Sequence, residues 1–295
     1  MKNKLELAIS TSTSFDSAWK DFYRWARSRG FVPIPTSQWV LADYIFYLLE
    51  DQNLSISTVL RKLTSIKYRN LEWYGHIVDD ECFRGILNIL HTQFYRQPKR
   101  AEPLTPVQIK KIADYLQPHD RALLLTGFMG ALRRSEIVAL NPDDIIRTER
   151  GALILIRKSK GDQEAKGQQV EVYRGSDARY CCLSAMEEWF GVKEIHAGEP
   201  IFRRIRRGDH PGTADDRLTG QSVTKFVKEW VPLVGLNPDL YSANSLRSGR
   251  ASSIGFKGGS IWGIRTILRH LTPTLEETYA RRRNRAADVR ALRSL

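Results

Sequence analysis

Three short segments, far apart in the chain, concentrate side chains able to act on a phosphate. Ala131-Leu132-Arg133-Arg134-Ser135-Glu136-Ile137 follows a strongly apolar run, Leu123 to Met129. Ser242-Ala243-Asn244-Ser245-Leu246-Arg247 lies much further on, and Leu268-Arg269-His270 is followed by Thr278-Tyr279, with nine residues from the histidine to the tyrosine. Attack on a phosphodiester requires a nucleophile, stabilisation of charge on the non-bridging oxygens, and a proton for the departing 5′ oxygen. A tyrosine phenol suits the first task, because the phosphodiester it forms preserves the bond energy and is reversed by an incoming 5′ hydroxyl. Two arginines, Arg133 and Arg247, can hold the phosphate in bidentate fashion as it becomes pentavalent. The sequence has no Gly-rich nucleotide loop and no His/Cys/Asp cluster at metal-ligand spacing. The expected chemistry therefore uses no metal and no cofactor, with guanidinium groups doing the neutralising that Mg²⁺ does in other phosphoryl-transfer enzymes.

The elements that must position these residues fall into two parts. At 295 residues the chain is long enough for two cores. The first hundred residues read as all helical, with apolar faces at Phe15, Trp19, Phe22, Tyr23 and Ala26; at Trp39, Val40, Tyr44 and Leu48; at Val59, Leu60, Leu63 and Ile66; and at Phe83, Ile86, Leu87, Leu90 and Phe94. Periodicity stops at Gln97-Pro98-Lys99-Arg100-Ala101-Glu102-Pro103, a linker signature. The expected domains are 1–97, linker 98–103 and 104–295. A helix then starts with Thr105 as N-cap, Pro106 at its first position and Gln108 completing a capping box. Ala152 to Arg157 and Gln168 to Tyr173 read as a strand pair joined by a loop over Lys158 to Gly167. Val223, Phe226, Val227, Trp230 and Val231 give a buried helix face, and Thr274 with Glu277 suggests a capping box that places Tyr279 early in a C-terminal helix. The fold class expected is mainly α with a small antiparallel sheet.

Charge narrows the partner. A net charge of +13 and a pI near 9.7 favour a polyanion, since Lys and Arg that neutralise phosphates release condensed counterions. Basic residues outnumber acidic ones on both sides of residue 100. Between Gly191 and Gly220, a Gly- and Pro-rich stretch carries Arg203, Arg204, Arg206 and Arg207, either phosphate contacts or a solvated loop. No apolar run reaches membrane-span length, and Met1 to Ser10 lacks a signal-peptide core. Cys82, Cys181 and Cys182 form no disulfide framework, which fits a reducing compartment such as the bacterial cytoplasm. His76, His91, His119, His196 and His210 fit no site and read as structural or surface residues.

The three segments, in this order, resemble the boxes of the tyrosine recombinases, or phage integrases, with the Cre-like branch the nearest match. The first is similar to GLRxSEL…L…DI, continuing through Leu140 and Asp144-Ile145, with Ala131 in place of the usual glycine. The second is similar to HxLR, and the third to LGH…T..Y. The resemblance covers residues from about 101 onward, and the helical N-terminal part matches the family's core-binding domain in general character. It implies a C-shaped clamp on duplex DNA formed by a helical core-binding domain and a mixed α/β catalytic domain. It also implies strand exchange through a 3′-phosphotyrosyl intermediate on Tyr279, at a nucleoid-associated site in the cytoplasm. Lys160 in Arg157-Lys158-Ser159-Lys160-Gly161-Asp162-Gln163 is the implied general acid, with Lys158 its competitor; His270 donates to a phosphate oxygen; Glu136 orients the basic residues. Partners implied are DNA with inverted-repeat half-sites and further copies of the chain, a dimer per site and a tetramer at the synapse. The tail, with Arg281-Arg282-Arg283-Asn284-Arg285 and then Val289, Leu292 and Leu295, reads either as a helix docking on a neighbouring protomer or as a basic arm on DNA, with Arg282 a contact candidate.

One position departs from the pattern. Asn244 stands where the family usually has histidine, and an amide can donate to a phosphate oxygen but cannot carry a proton near neutral pH. Two rivals to an active recombinase follow: a degenerate relative that binds DNA without cutting it, and a type IB topoisomerase-like activity that needs no defined site.

Overall fold

The computed structural model describes residues 9–75, 80–94, 100–157, 167–192, 194–206, 210–211, 216–256, 258 and 260–269. The chain divides into two compact units, 1–99 and 100–295.

Among the described residues, the first unit is helical: α1 (Ile9–Ser28), α2 (Gln38–Phe46, running on into a wider turn over Tyr47–Asp51), α3 (Ile56–Tyr74) and α4 (Asp80–Phe94). Its core is aromatic, with Trp19, Phe22, Trp25 and Tyr44 packed against Leu41, Leu63 and Ile66. Burial pushes the Tyr44 hydroxyl's pKa well above its usual value, assisted by Asp21. Asn70, fully buried, donates to the Ile66 carbonyl (3.0 Å) and accepts from the Thr36 amide (3.0 Å), fastening α3 to the segment before α2. Two residues expected on core faces point outward: Trp39 is 74% exposed and Tyr23 44%. In α2 the buried face is Val40, Leu41, Tyr44 and Ile45, so Trp39 lies one residue outside the stripe that its spacing suggested. Phe83 and Phe94 lie outside the side chains described.

The second unit contains α5 (Pro106–Ala113), α6 (Pro118–Met129), α7 (Arg134–Ala139), β1 (Ile145–Thr148), β2 (Gly151–Ile156), β3 (Gln168–Tyr173), α8 (Cys182–Val192), β4 (Ile205–Arg206), β5 (His210–Pro211), α9 (Gly220–Trp230), α10 (Ala243–Phe256) and α11 (Ile261–Leu268). The capping box at α5 is formed as the sequence implied: the Gln108 amide donates to Thr105 Oγ1 (3.3 Å) and the Thr105 amide to Gln108 Oε1 (2.9 Å). β2 and β3 pair antiparallel with Ile156 opposite Gln168. The sequence did not reveal β1, which pairs with β2 from Ile145↔Ile154 to Thr148↔Gly151 and is exposed along most of its length. The small β4–β5 pair was also missed.

α6 is the central post. From His119 to Phe128 nearly every side chain is buried, the all-round apolar character of a helix enclosed by its neighbours. α8, α10 and α5 pack around it. Two glycines set how closely these helices approach. A Cβ on Gly127 would come within 2.9 Å of both Ile137 Cδ1 and Leu246 Cδ1, so this position brings α7 and α10 together against α6. A Cβ on Gly249 would stand 2.0 Å from the Leu104 carbonyl oxygen, where the chain entering α5 lies on α10 and the Leu104 amide donates to the Ser245 carbonyl (3.1 Å). Backbone cannot retreat as a side-chain tip can. Gly249→Ala is expected to destabilise the unit 100–295 by about 2–4 kcal/mol, the range of severe overpacking. Urea unfolding of the full chain measures it, and a loss below about 1 kcal/mol would show that the Leu104 segment yields freely.

Candidate active site at the junction of three segments

The first segment is a tight turn followed by a helix start. α6 ends at Met129, and Ala131 takes a left-handed conformation (φ 47°), its amide bonding the Phe128 carbonyl at 3.1 Å while the Leu132 amide bonds that of Gly127 at 3.1 Å. This explains the glycine usual at that position: an L residue there carries a steric cost on the order of 1–2 kcal/mol that glycine avoids. Arg133 is the N-cap of α7, and Glu136 sits one turn inside. The Glu136 carboxylate reaches back to accept the Arg133 backbone N–H on Oε2 (2.8 Å) and Arg133 Nη1 on Oε1 (2.6 Å). Its side chain is fully buried, whereas Arg133 keeps 23% of its side chain exposed. A buried carboxylate thus holds a partly open guanidinium from behind.

The second segment begins α10. Ser242 caps it: its amide donates to Ser245 Oγ (3.0 Å) and its hydroxyl accepts the Asn244 amide (3.2 Å). Asn244 is exposed in the first turn, three residues before Arg247 and hence on the same side of the helix. Arg247 is buried at 4% exposure. It donates from Nη1 to the Ala131 carbonyl and from Nη2 to the Leu268 carbonyl, so a single guanidinium joins the first segment to the third.

The third segment is the end of α11. Arg269 is its C-cap, left-handed at φ 49°, with its amide on the Thr266 carbonyl (3.2 Å). Its side chain turns inward, is only 6% exposed, and donates from Nη2 to Glu136 Oε2 at 2.6 Å. Burial pulls its pKa down from the ordinary arginine value, while Glu136 pulls the other way. Sequence reasoning passed over Arg269. The signal was there, because Arg269 occupies the glycine position of the LGH box.

A second charged group braces the approach to the strand pair. Asp144, 2% exposed at its side chain, accepts the Asn141 amide (2.9 Å) and Arg157 Nε (2.6 Å), tying the end of β2 to the turn after α7. Arg217 donates to the Val138 carbonyl and Asn141 Oδ1, both at 2.7 Å.

Other expected residues divide by position. Lys158, Lys160, His270, Thr274, Glu277, Tyr279, the tail from Arg281 and Arg207 lie outside the described residues. Arg206 is on β4, with its side chain outside the described set. Arg204 is exposed, as a phosphate contact requires. Arg203 is a correction: it is 2% exposed and donates to the Pro200 carbonyl (3.0 Å) and to Glu199, closing its own loop instead of facing solvent.

No protein-family model matches the chain. It is 29% identical over 264 residues to the "Integrase/recombinase xerD homolog" of Selenomonas ruminantium, covering 85% of this chain and 76% of that one. In sequence the chain is therefore similar to an Xer-type integrase/recombinase. Its fold is that of the tyrosine recombinases, mostly helical with a small antiparallel sheet. The integrase of the Tn1549 transposon in complex with transposon right end DNA superposes with a TM-score of 0.64 at 15% identity, covering 94% of this chain and 90% of that one. A lambda integrase (75–356) dimer bound to a COC′ core site gives 0.63 at 16%, with coverage of 94% and 90%. XerH bound to palindromic difH in a post-cleavage complex gives 0.62 at 17%, with coverage of 87% and 72%.

Glu136→Gln keeps the shape but removes the charge that two guanidiniums share. The variant is expected to lose about 3 kcal/mol, the cost of leaving buried charge without its partner. Urea denaturation checks it; an unchanged midpoint would mean Arg133 and Arg269 are held by other groups.

Proposed function

We propose that this chain is a site-specific DNA recombinase that cuts and rejoins strands through a 3′-phosphotyrosyl bond on Tyr279. The observation that carries the reading is the joining of Arg133 and Glu136 with Arg247 and the residue beside His270, which lie more than a hundred residues further on, at one place in a chain similar to an integrase/recombinase.

In the proposed reaction the Tyr279 phenolic oxygen attacks the scissile phosphorus and gives up its proton to solvent water. The bond from phosphorus to the 5′ oxygen breaks, and Lys160 gives that oxygen its proton. Arg133 and Arg247 balance the charge on the non-bridging oxygens, and His270 donates a further hydrogen bond. Attack by the 5′ hydroxyl of another strand reverses these steps, frees Tyr279 and completes the exchange. No step calls on a metal or cofactor.

The exposed amide of Asn244 can donate to the phosphate but cannot take the phenolic proton. Residues 1–97 serve as the core-binding domain and 104–295 as the catalytic domain, joined through 98–103. Arg204 and, beyond the described residues, Arg207 and Arg282 contact the phosphate backbone. The target carries inverted-repeat half-sites, each bound by one copy, with a dimer per site and four copies at a synapse. Solved neighbours include a lambda integrase dimer bound to a core site and a lambda integrase tetramer bound to a Holliday junction, and both lend support. Among the described residues no helix is long and apolar enough to cross a membrane; the proposed place of action is the nucleoid, in the cytoplasm.

The test uses duplexes carrying the sequence that the protein selects from a randomised pool, with single nicks tiled across that sequence to trap cleavage. Wild type is expected to form a covalent protein–DNA adduct and Tyr279→Phe none. A wild type that binds these duplexes and forms no adduct would make it a DNA-binding relative without catalysis. Relaxation of supercoiled plasmid lacking the selected sequence would favour the topoisomerase-like reading. On the same duplexes, Asn244→His is expected to keep or raise the rate of adduct formation. A large loss would show that the amide has a role of its own.

A further inference from the structure

Arg269 stands where three costs coincide. Its backbone is left-handed at φ 49°, a conformation that costs a non-glycine residue on the order of 1–2 kcal/mol. Its guanidinium is withdrawn from water, with 6% of the side chain exposed. Two of its nitrogens, Nε and Nη1, are buried with no hydrogen-bond partner among the described residues. Glycine in its place would remove all three. What the side chain gains is one short bond, Nη2 to Glu136 Oε2 at 2.6 Å.

That bond changes the charge of the site. Glu136 alone with Arg133 is a neutral pair, and a guanidinium already neutralised by a carboxylate has little to offer a phosphate. Arginine stays protonated in proteins, so Arg269 gives the trio one net positive charge, and Arg247 beside it raises the cluster to two. A phosphodiester carries one negative charge, and the pentacoordinate species formed from it carries two. Groups fixed in advance against the charge that develops act mainly on the transition state.

We infer that Arg269 is a positioning residue of the strand-transfer site: by taking a share of Glu136 it keeps Arg133 in place with its positive charge available to the scissile phosphate. Arg269 directly precedes His270 in the sequence. The inference rests on the recombinase reading above and extends it to a residue that the family's box does not supply.

The experiment compares the full-length wild type with Arg269→Gly, Arg269→Gln and Arg269→Lys on the selected, nicked duplexes at saturating protein. Arg269→Gly is expected to slow adduct formation by about tenfold or more, while the affinity for DNA changes by less than about twofold. Arg269→Lys is expected to recover part of the rate and Arg269→Gln none. Each variant's melting temperature is recorded, and Arg269→Gly should fold because glycine suits the left-handed position. The decisive arm replaces the scissile phosphate with a methylphosphonate, which removes one negative charge from both ground and transition states. There the difference between Arg269→Gly and wild type should shrink to about threefold or less, since less charge needs balancing. Equal rates for Arg269→Gly and wild type on the phosphate duplex would overturn the inference. So would an undiminished defect on the methylphosphonate, which would indicate a purely structural role. If wild type itself forms no adduct, the recombinase reading falls and this inference with it; an active wild type with an indifferent Arg269 sinks this inference alone.

Discussion

The unit 100–295 depends on one buried carboxylate. Glu136 accepts three donors from two segments: the amide and guanidinium of Arg133, and the guanidinium of Arg269. Without it, two cations would face each other in a site from which water is largely excluded, where an uncompensated charge costs several kcal/mol. With it, the turn after α6 and the end of α11 are held in a fixed relation. Arg247 then closes the triangle by bonding main-chain carbonyls of the same two segments. The ion pair sets charge, and the carbonyl bonds set distance.

This junction sits on close helix contacts that side chains alone would not allow. α7, bearing Glu136, and α10, bearing Arg247, both press on α6 at Gly127, where their Ile137 and Leu246 side chains already occupy the space of a Cβ. The packing link and the charge link are therefore in series. α6 is apolar on all sides, so the site is built against the most deeply buried element of the unit. Positioning by a packed interior lets the exposed part of Arg133 stay fixed, which is the condition for stabilising charge that appears only during a reaction.

Much of this was legible in the sequence, for identifiable reasons. The α5 capping box could be read because Thr105, Pro106 and Gln108 are local signals that need no tertiary partner. β2 and β3 announced themselves by β-branched runs, whereas Ile145-Ile146-Arg147-Thr148 is a short edge strand that lacks alternating burial, so no period marked it. Trp39 misled because an aromatic near a helical stripe counts as core in a periodicity reading, yet its place on the helix is fixed by what α2 packs against. Arg203 misled in the same way. It belongs to a run of arginines in a Gly-rich loop, and although Glu199 and Pro200 are close in sequence, residue type alone does not tell that Arg203 turns inward on them while Arg204 stays exposed. Arg133, Glu136 and Arg247 could be named from residue type and order, but the partner that completes them could not. The bond from Arg269 to Glu136 spans 133 residues, and only the folded chain brings its ends together.

The two left-handed residues at this junction show how the fold imposes its demands on the chain. Ala131 and Arg269 both adopt φ near +48°, and both stand where the resembling boxes carry glycine. If backbone ease alone decided the conformation, an alanine and an arginine at these positions would sit in ordinary regions. They do not, and each turn delivers a carbonyl to the same guanidinium: that of Ala131 itself, and that of Leu268 just before Arg269. Arg247 is buried and must have acceptors for its donors, so opening either turn would leave part of a buried cation without a partner. That penalty exceeds the cost of a left-handed alanine or arginine, on the order of 1–2 kcal/mol. The strain is thus fixed by the need to satisfy Arg247. It is tolerated at Ala131 because the methyl packs with Ala251, Ile264 and Leu268, and at Arg269 because the side chain reaches Glu136. The same geometric requirement that favours glycine elsewhere leaves room at Arg269 for a side chain that adds charge to the site.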